Sequence, residues 1–414
     1  MKKSRHVILG GGMVAGYCAK ELVERGLQPG ELAIVSADTS IPYERPPLSK
    51  GFLAGKDSED GIRINPENFY REHGIELLLG AEASVVDTGR KILHLRSGEE
   101  VFFENLVIAT GARVRKLSVP GADLAGVHYL RSLEDSRQIR THAESARRAA
   151  VIGGAFIGME VASVLAQKKI ETTLILREDR IWKQFFTPAM SRFFENYYSA
   201  RGVRFVKQAR VEAIQGRSGV EAVAVAGSPP VACDLVVAGI GVQPVTDPVA
   251  RTRVEVTDGV VVNEYLETGV PAIYAAGDVA NYRDMLFEKR RRVEHWDNAV
   301  SQGQHCGRLL SGERERFVHV PYFFSDVFDL SYEFWGDPAV ADEIVERGDL
   351  STNSFSVWWL SKGRLAAAFA MNRSDDEREA APRWISSKQP LVADKLKTAA
   401  SIAEAERLST FKAG

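Results

Sequence analysis

Three small residues, Gly10, Gly12 and Ala15, follow an apolar run and precede a helical stretch. Their spacing is the G-x-G-x-x-G/A pattern of a dinucleotide-binding βαβ unit. Gly10 permits a tight turn, Gly12 lets the backbone approach a pyrophosphate, and Ala15 lets the helix pack closely on the strand. The helix N-terminus adds free N–H groups and a partial positive charge for the phosphates. Asp38, 22 residues after Gly16, is placed to hydrogen-bond a ribose hydroxyl. The alternative is a glycine turn that binds nothing.

A second copy of the pattern begins 143 residues after the first. Gly153 and Gly158 match its first and third positions, but Ala155 places a methyl group where the backbone would approach the pyrophosphate. Glu178 follows Gly158 by 20 residues, the usual distance to a ribose-binding acid. Two fingerprints in one chain indicate an internal repeat and two dinucleotide-binding domains.

Other segments carry groups that could complete such a site. The segment 42–50 contains three prolines, which forbid a regular helix, and it can present Arg45 and Lys50 to a cofactor. The alternative for this segment is a solvated loop with surface charges. Three further apolar runs, typical of buried strands, end in glycine or Gly-Asp, at 105–111, 234–241 and 271–278.

The composition indicates a globular protein of two or three domains, with 414 residues, 45% hydrophobic and 26% charged. A net charge of −2 does not favour nucleic acid or membrane partners. The three cysteines lie far apart, which excludes C-x-x-C and metal-ligand spacings and suits a reducing compartment. With no signal peptide expected and no apolar run of about 18 residues, we expect a cytoplasmic protein. Cys18 is expected to be packed in the core.

A basic run, Lys289–Arg292, leaves two interpretations open. It is either a solvated face or a patch for an acidic partner. After Gly312 the chain becomes rich in aromatic residues with alternating apolar runs, which predicts a sheet.

These residues in combination resemble the FAD- and NAD(P)-dependent pyridine nucleotide reductases. Within that superfamily, the segments 42–50, 292–295 and 321–331 are similar to monodehydroascorbate reductases. The wider group includes ferredoxin, rubredoxin and putidaredoxin reductases and apoptosis-inducing factor. The resemblance implies an α/β fold with two Rossmann-like domains and an α+β C-terminal interface domain. It divides the chain into an FAD-binding part at 1–113, an NAD-binding domain at 114–244, a second FAD-binding part at 245–316 and the interface domain at 317–414.

The resemblance also implies the cofactor contacts, residue by residue. Those expected to hold FAD are Gly10, Gly12, Ala15, Asp38, Arg45, Lys50, Ala83, Arg131 and Asp278. Those expected to hold NAD are Gly153, Ala155, Ile157, Gly158 and Glu178. Those expected near the nicotinamide and flavin are Gly241, Glu294, His295 and Trp296, with Trp358 as an aromatic ring over the flavin.

Lys50 and Glu160 are the predicted catalytic pair beside the flavin. Lys50 would favour the reduced, anionic flavin, and Glu160 would hold the lysine in place. The alternative for Glu160 is an acid on a helix surface. Because the chain has no C-x-x-C, a redox-active disulfide is not expected.

The predicted function is electron transfer from NAD(P)H through FAD to a one-electron acceptor. Glu178 repels a 2′-phosphate whereas Arg177 could accept one, and we expect NADH to be preferred. The acceptor is either a small acidic iron–sulfur protein or a small organic radical such as monodehydroascorbate. Plant ascorbate enzymes carry an arginine where this chain has Asp326, and Ser325-Asp326 resembles the ferredoxin-reductase group. The alternative function is a slow, redox-responsive binding or signalling flavoprotein like apoptosis-inducing factor; an oligomer is possible.

Overall fold

The structure, a computed structural model, describes residues 2–410 and divides into two compact units. The first unit contains the chain up to Arg115, residues 131–133 and residues 241–319. The second contains residues 116–130, residues 134–240 and the chain from Val320 onward. The segments predicted as the NAD-binding and interface domains thus fall mainly into one unit, and the four-part division stays a prediction.

Within the described residues the strands are β1 (Lys2–Leu9), β2 (Leu32–Val35), β3 (Glu76–Leu78), β4 (Ala83–Asp87), β5 (Ile92–Leu95), β6 (Glu100–Ile108), β7 (Ala112–Val114), β8 (Val127–Tyr129), β9 (Arg148–Ile152), β10 (Glu171–Ile175), β11 (Arg204–Val206), β12 (Val211–Gly216), β13 (Val220–Val225), β14 (Val231–Ala232), β15 (Leu235–Ala238), β16 (Val242–Pro244), β17 (Val256–Thr257), β18 (Gly259–Val261), β19 (Ile273–Ala275), β20 (Ala280–Asp284), β21 (Lys289–Arg291), β22 (Tyr322–Val327), β23 (Leu330–Gly336), β24 (Glu343–Asp349), β25 (Ser354–Ser361) and β26 (Arg364–Met371).

The α-helices in the same range are α1 (Met13–Glu24), α2 (Gly51–Ala54), α3 (Glu67–Glu72), α4 (Leu133–Ala143), α5 (Phe156–Gln167), α6 (Pro188–Ser199), α7 (Trp296–Leu310), α8 (Asp375–Ser387), α9 (Ala393–Thr398) and α10 (Ile402–Thr410). Short 3₁₀ helices span Pro46–Ser49, Asp60–Ile62, Asp247–Val249, Gly277–Val279 and Pro338–Val340.

The first unit is built on a seven-stranded sheet of order β3-β2-β1-β6-β5-β4, with β19 beside β6. Strands β3, β2, β1, β6 and β19 are parallel, and β4 and β5 continue the sheet as antiparallel neighbours. Helices α1 and α7 pack against each other at glycines: a Cβ on Gly303 would lie 2.8 Å from the carbonyl oxygen of Val14. Cys18 is fully buried in this core, as predicted.

The second unit contains a parallel sheet of order β11-β10-β9-β15-β8, with α5 joining β9 to β10. A small antiparallel sheet, β12-β13-β14, lies between β11 and β15 in the chain. The C-terminal part forms an antiparallel sheet of order β22-β23-β26-β25-β24, which confirms the sheet predicted from its aromatic residues. The predicted fold class is therefore confirmed.

A buried ionic network stabilises the C-terminal part. The Glu377 carboxylate accepts hydrogen bonds from Arg347, Arg373 and Ser356. Arg347 also donates to the carbonyl oxygen of Leu396, so the network joins β24, β25, α8 and α9. Removing the Glu377 carboxylate would leave the buried charge of Arg347 without its ion-pair partner in this network, and such a loss typically costs about 3–5 kcal/mol.

No helix among residues 2–410 is long and apolar enough to cross a membrane. The cytoplasmic location stays a prediction.

We expect His305 to make the fold less stable in acid. Burial, assisted by the nearby Arg308, lowers the pKa of His305 from 6.5 to about 4. The unfolded chain therefore binds the proton first, and stability falls as the pH drops from about 6.5 towards 4, by about 2 kcal/mol at pH 5. Chemical denaturation measures the free energy of unfolding at pH 7.5 and at pH 5. Between these two pH values, that free energy should fall by about 2 kcal/mol less in His305→Gln than in the wild type. An equal acid loss in both proteins would contradict the assignment.

Candidate functional site

The first glycine loop lies at the carboxyl ends of parallel strands β1 and β6. Gly10 has φ +127°, and a Cβ there would lie 2.1 Å from the carbonyl oxygen of Ala109. Gly12 precedes α1, and a Cβ on it would meet only Arg45 Nη2, at 3.7 Å. Ala15 is fully buried in the helix–sheet contact. The three small residues thus have the three environments that the spacing predicts.

Two guanidinium groups lie beside this loop. Arg45 donates to the carbonyl oxygen of Arg131, and Arg131 Nη2 donates to Asp278 Oδ2 at 2.7 Å. Burial and the charge of Arg131 lower the pKa of Arg45. Because Arg45 Nη2 borders the open side of Gly12 and its charge is opposed by that of Arg131, an anion bound there would stabilise Arg45. Arg45, Arg131 and Asp278 come from three distant segments, and the structure brings them together; their contact with FAD stays a prediction.

Asp38 follows β2 and is held in place by its neighbours. Its Oδ2 accepts from the Tyr43 hydroxyl at 2.8 Å, and its Oδ1 accepts from the Ser40 N–H at 3.0 Å. The Tyr43 oxygen in turn accepts from the Leu133 N–H at 3.0 Å. A carboxylate has about four acceptor positions, so capacity remains for a ribose hydroxyl.

Glu44 was not predicted as a functional residue, and its carboxylate joins three elements of the unit. One oxygen accepts from the Tyr17 hydroxyl at 2.6 Å, on α1, and the other accepts from the Trp296 indole N–H, at the start of α7. The segment 42–50 is thereby fixed to both helices, which excludes the solvated-loop alternative. The indole N–H of Trp296 is engaged by Glu44, and the contact of Trp296 with a cofactor stays a prediction.

The remaining predicted contacts of the first unit are also placed. Lys50 is half-buried and precedes α2, and Ala83 begins β4, half-buried. Gly241 has φ +97°, and its carbonyl oxygen accepts from the Arg115 N–H at 2.9 Å. Glu294 is exposed and pairs with Arg292, and His295 precedes α7.

Gln302 is a further buried residue of the first unit that sequence reasoning missed. Its Oε1 accepts from the Gly277 N–H at 2.7 Å, next to Asp278, and its side chain is fully buried. It fixes the Gly277–Val279 turn against α7. No local signal identifies it, because a single glutamine on a helix has many possible roles.

The second glycine loop repeats the geometry of the first. Gly153 has φ +118°, and a Cβ there would lie 2.2 Å from the carbonyl oxygen of Gly239. The Gly153 N–H donates to Ile175 at 2.8 Å, as the Gly10 N–H donates to Val35 at 2.8 Å. A Cβ on Gly158 would meet the Gly153 carbonyl oxygen at 2.0 Å, so this position also requires glycine.

The rim of this loop carries both polar and apolar groups. Ile157 is 39% exposed beside it, an apolar surface suited to contact with a ligand. Glu178 follows β10 with its carboxylate partly exposed, and Arg177 Nη2 lies 3.7 Å from Glu178 Oε1. Ala155 caps α5 with φ −102°, so its methyl group is accommodated without strain.

Glu160 is buried on α5, 5% exposed, which excludes the surface-acid alternative. Its Oε1 accepts from the Ser325 hydroxyl at 2.6 Å, within the second unit. Lys50 belongs to the first unit, and its pairing with Glu160 stays a prediction.

The prediction that Trp358 lies over a flavin is wrong. The Trp358 ring is 1% exposed, packs on Trp384 at 5.4 Å between centroids, and donates its indole N–H to Ser356. It belongs to the sheet core beneath α8 and has no free face for a cofactor.

The basic run is not an open cationic patch. Arg290 donates to the carbonyl oxygens of Val262 and Asn281. Arg291 pairs with Asp284 at 2.6 Å, and Arg292 pairs with Asp258 and Glu294. Three of its four cationic side chains therefore make hydrogen bonds or ion pairs within the first unit.

The first unit fits FAD on two observations: the backbone of Gly12 is open where a side chain would begin, and the guanidinium group of Arg45 lies beside it, in contact with Arg131. Gly10, Gly12 and Ala15, with Arg45 and Arg131, would hold the pyrophosphate, and Asp38 would hold a ribose.

The chain matches known families over most of its length. Residues 4–303 match the family described as pyridine nucleotide-disulphide oxidoreductase, and residues 322–403 match the reductase C-terminal family. It is 36% identical to peroxisomal monodehydroascorbate reductase 4 of Arabidopsis thaliana, over 94% of this chain and 83% of the relative. It is 33% identical to a monodehydroascorbate reductase of Solanum lycopersicum, over 95% and 97%.

Two solved structures are similar over nearly the whole chain. One is putidaredoxin reductase in its covalent complex with putidaredoxin, with TM-score 0.94, 29% identity and 100% of both chains covered. The other is a ferredoxin reductase from Rhodopseudomonas palustris, with TM-score 0.91, 30% identity, and 98% of this chain and 100% of that chain covered.

We expect Gly12→Ala to fold normally and to bind FAD at least about tenfold more weakly. The new methyl group meets no protein atom closer than 3.7 Å but occupies the position where a pyrophosphate would approach. Titration of the apoprotein with FAD measures the change. Gly269→Ala is the matched control, because a Cβ at Gly269 meets nothing within 4 Å and its φ is not positive. Equal FAD affinity in both variants would contradict this placement of the pyrophosphate.

Proposed function

We propose that this chain, a member of the pyridine nucleotide-disulphide oxidoreductase family, passes electrons from NADH through FAD to a small iron–sulfur protein. The family model covers residues 4–303, and the chain is an NAD(P)H-dependent FAD oxidoreductase. The choice of NADH and the nature of the acceptor are the proposal.

The observation that supports a protein acceptor is the exposed carboxylate of Asp326. On β22 the side chains of Phe323, Ser325 and Val327 are buried, so Asp326 lies on the opposite face, with Tyr322 and Phe324. A carboxylate there repels an oxidised ascorbate-type anion, whereas the aromatic side chains on the same face are of a type enriched in protein interfaces. The two similar reductases support this, since one is bound to putidaredoxin and the other is named a ferredoxin reductase.

The proposed mechanism follows from what each group can do. When bound, FAD accepts two electrons as hydride and returns them one at a time. We propose that Gly241, Glu294 and His295 line the nicotinamide position in the first unit. Lys50 would stabilise negative charge beside the flavin, and Glu160 would orient Lys50. We also propose the four-part division at 113, 244 and 316 for the FAD, NAD and interface domains.

Monodehydroascorbate radical is the second candidate acceptor. The 36% identity to an Arabidopsis enzyme named for that substrate favours it. A small anion needs a cation at position 326, whereas a protein acceptor is bound over a larger surface and does not depend on one there. One substitution therefore separates them.

We expect the wild type to reduce a ferredoxin or putidaredoxin faster than monodehydroascorbate radical, with NADH as donor. Asp326→Arg should raise the rate with the radical by about tenfold, or about 1.4 kcal/mol, because it replaces a repelling charge with an attracting one. Steady-state kcat/KM with each acceptor measures this.

The matched control is Glu346→Arg, the same charge change at an exposed position on β24, at the opposite edge of the same sheet. It should change neither rate. A wild type that prefers the radical, or an Asp326→Arg variant no different from Glu346→Arg, would overturn the choice of acceptor. Slow turnover with every acceptor would favour the signalling alternative.

We expect NADH to be the better donor, because the Glu178 carboxylate repels a 2′-phosphate. Glu178→Gln should lower the NADH-to-NADPH ratio of kcat/KM by about tenfold. Arg177→Gln is the opposing control, since it removes the neighbouring cation and should raise that ratio. A wild type with a tenfold preference for NADPH would contradict the prediction.

A further inference from the structure

The segment 177–186 follows β10 and contains the carboxylate expected to select the donor, Glu178. Four residues after Glu178, the backbone N–H of Trp182 donates to the carbonyl oxygen of Gly154, in the second glycine loop, at 3.0 Å. A Cβ on Gly154 would lie 3.1 Å from Leu176 Cδ1, just before the segment, so the two stretches of chain are closely packed. The segment is therefore bonded directly to the glycine loop.

Trp182 has two features that cost free energy. Its φ is +48°, in the left-handed region, where a bulky side chain is uncommon. Its side chain is 3% exposed, and the indole N–H has no hydrogen-bond partner among residues 2–410, although a buried indole usually has one. A phenylalanine in an ordinary backbone conformation would avoid both costs. Residues held in such conformations are typical of binding sites, which directs attention to the glycine loop beside it.

The Trp182 ring is held in place by aromatic rings from three parts of the second unit. The ring centroids lie 5.0 Å from Phe186, 5.2 Å from Phe194 on α6, and 5.8 Å from Tyr332 on β23. Aromatic pairs at these distances stabilise a structure beyond the burial of their surface. The ring is thus fixed by α6 and by the C-terminal sheet, while the backbone N–H of the same residue holds the glycine loop.

We propose that Trp182 is a positioning residue for the nucleotide donor: it fixes the segment that bears Glu178 at a set distance from the second glycine loop. The inference rests on the proposed binding of NADH at this loop, with the loop at the pyrophosphate and Glu178 at a ribose. A change in their separation would weaken binding of the donor and reduce the discrimination against a 2′-phosphate. Through Tyr332, the C-terminal sheet also supports donor binding.

The test compares Trp182→Leu with Trp384→Leu in the full-length, FAD-loaded protein. Both remove a buried indole from the second unit, but Trp384 lies on α8 and packs on Trp358. Trp182→Leu should raise the Kd of NAD⁺, measured by calorimetry, and the KM for NADH by about tenfold, with kcat and FAD content unchanged. It should also lower the NADH-to-NADPH ratio of kcat/KM by about fivefold. Trp384→Leu should change none of these values.

Two further variants sharpen the test. Trp182→Phe keeps an aromatic ring and removes the unpaired N–H, so it should restore the wild-type Kd of NAD⁺. Tyr332→Leu removes the C-terminal ring that packs on Trp182, and it should raise this Kd by about threefold. Tyr332→Leu decides the proposal if Trp182→Leu does not fold, and an unchanged Kd in Tyr332→Leu would then overturn it.

A double mutant separates this inference from the proposed function. In a Glu178→Gln background, Trp182→Leu should leave the NADH-to-NADPH ratio unchanged, because the charge that Trp182 positions is no longer present. An unchanged Kd of NAD⁺ in Trp182→Leu, or equal losses in Trp182→Leu and Trp384→Leu, would overturn the inference. If Glu178→Gln leaves the ratio unchanged while Trp182→Leu still weakens NAD⁺ binding, the inference is supported and the proposed choice of NADH is refuted.

Discussion

Both dinucleotide-binding units depend on the same close contact between two stretches of backbone. At Gly10 and at Gly153 a carbonyl oxygen of the neighbouring strand lies where a side chain would begin. Only glycine allows this approach, and it brings the loop against the carboxyl ends of parallel strands with a helix N-terminus above. The side chains proposed to bind a ligand come from other segments of the chain, as Arg131 and Asp278 do in the first unit.

The glycine loops could be predicted from the sequence because their constraint is local. Strand, turn and helix are adjacent in the chain, and the spacing of three small residues is enough to predict the tight turn and the close backbone contacts. The rigid segment 42–50 itself indicates Arg45 as a cofactor contact, whereas the family resemblance predicts Arg131 and Asp278, and no local pattern shows that the three residues meet. The contact between Gly10 and the carbonyl oxygen of Ala109 could not be predicted either, because it depends on which strand lies beside β1.

Two features could not be predicted from the sequence, because they depend on which element covers a strand and on which groups pair with a charge. The resemblance places an aromatic ring over the flavin at Trp358, and no pattern in β25 shows that the ring packs against Trp384 of α8 instead. In the same way, four adjacent cations predict a patch only if no carboxylates or carbonyl oxygens reach them. The partners of Arg291 and Arg292 come from other parts of the fold, such as Asp284 and Asp258.

The two loops differ at one position in a way that bears on how long each ligand stays. Gly12 leaves its backbone open to a phosphate, whereas Ala155 carries a methyl group at the matching place. A prosthetic group must remain through many turnovers, but a donor that is consumed must depart as product after each one. A single carbon atom that weakens binding equally for the reduced and oxidised nucleotide would shorten the residence of the product and keep the second site available for the next donor.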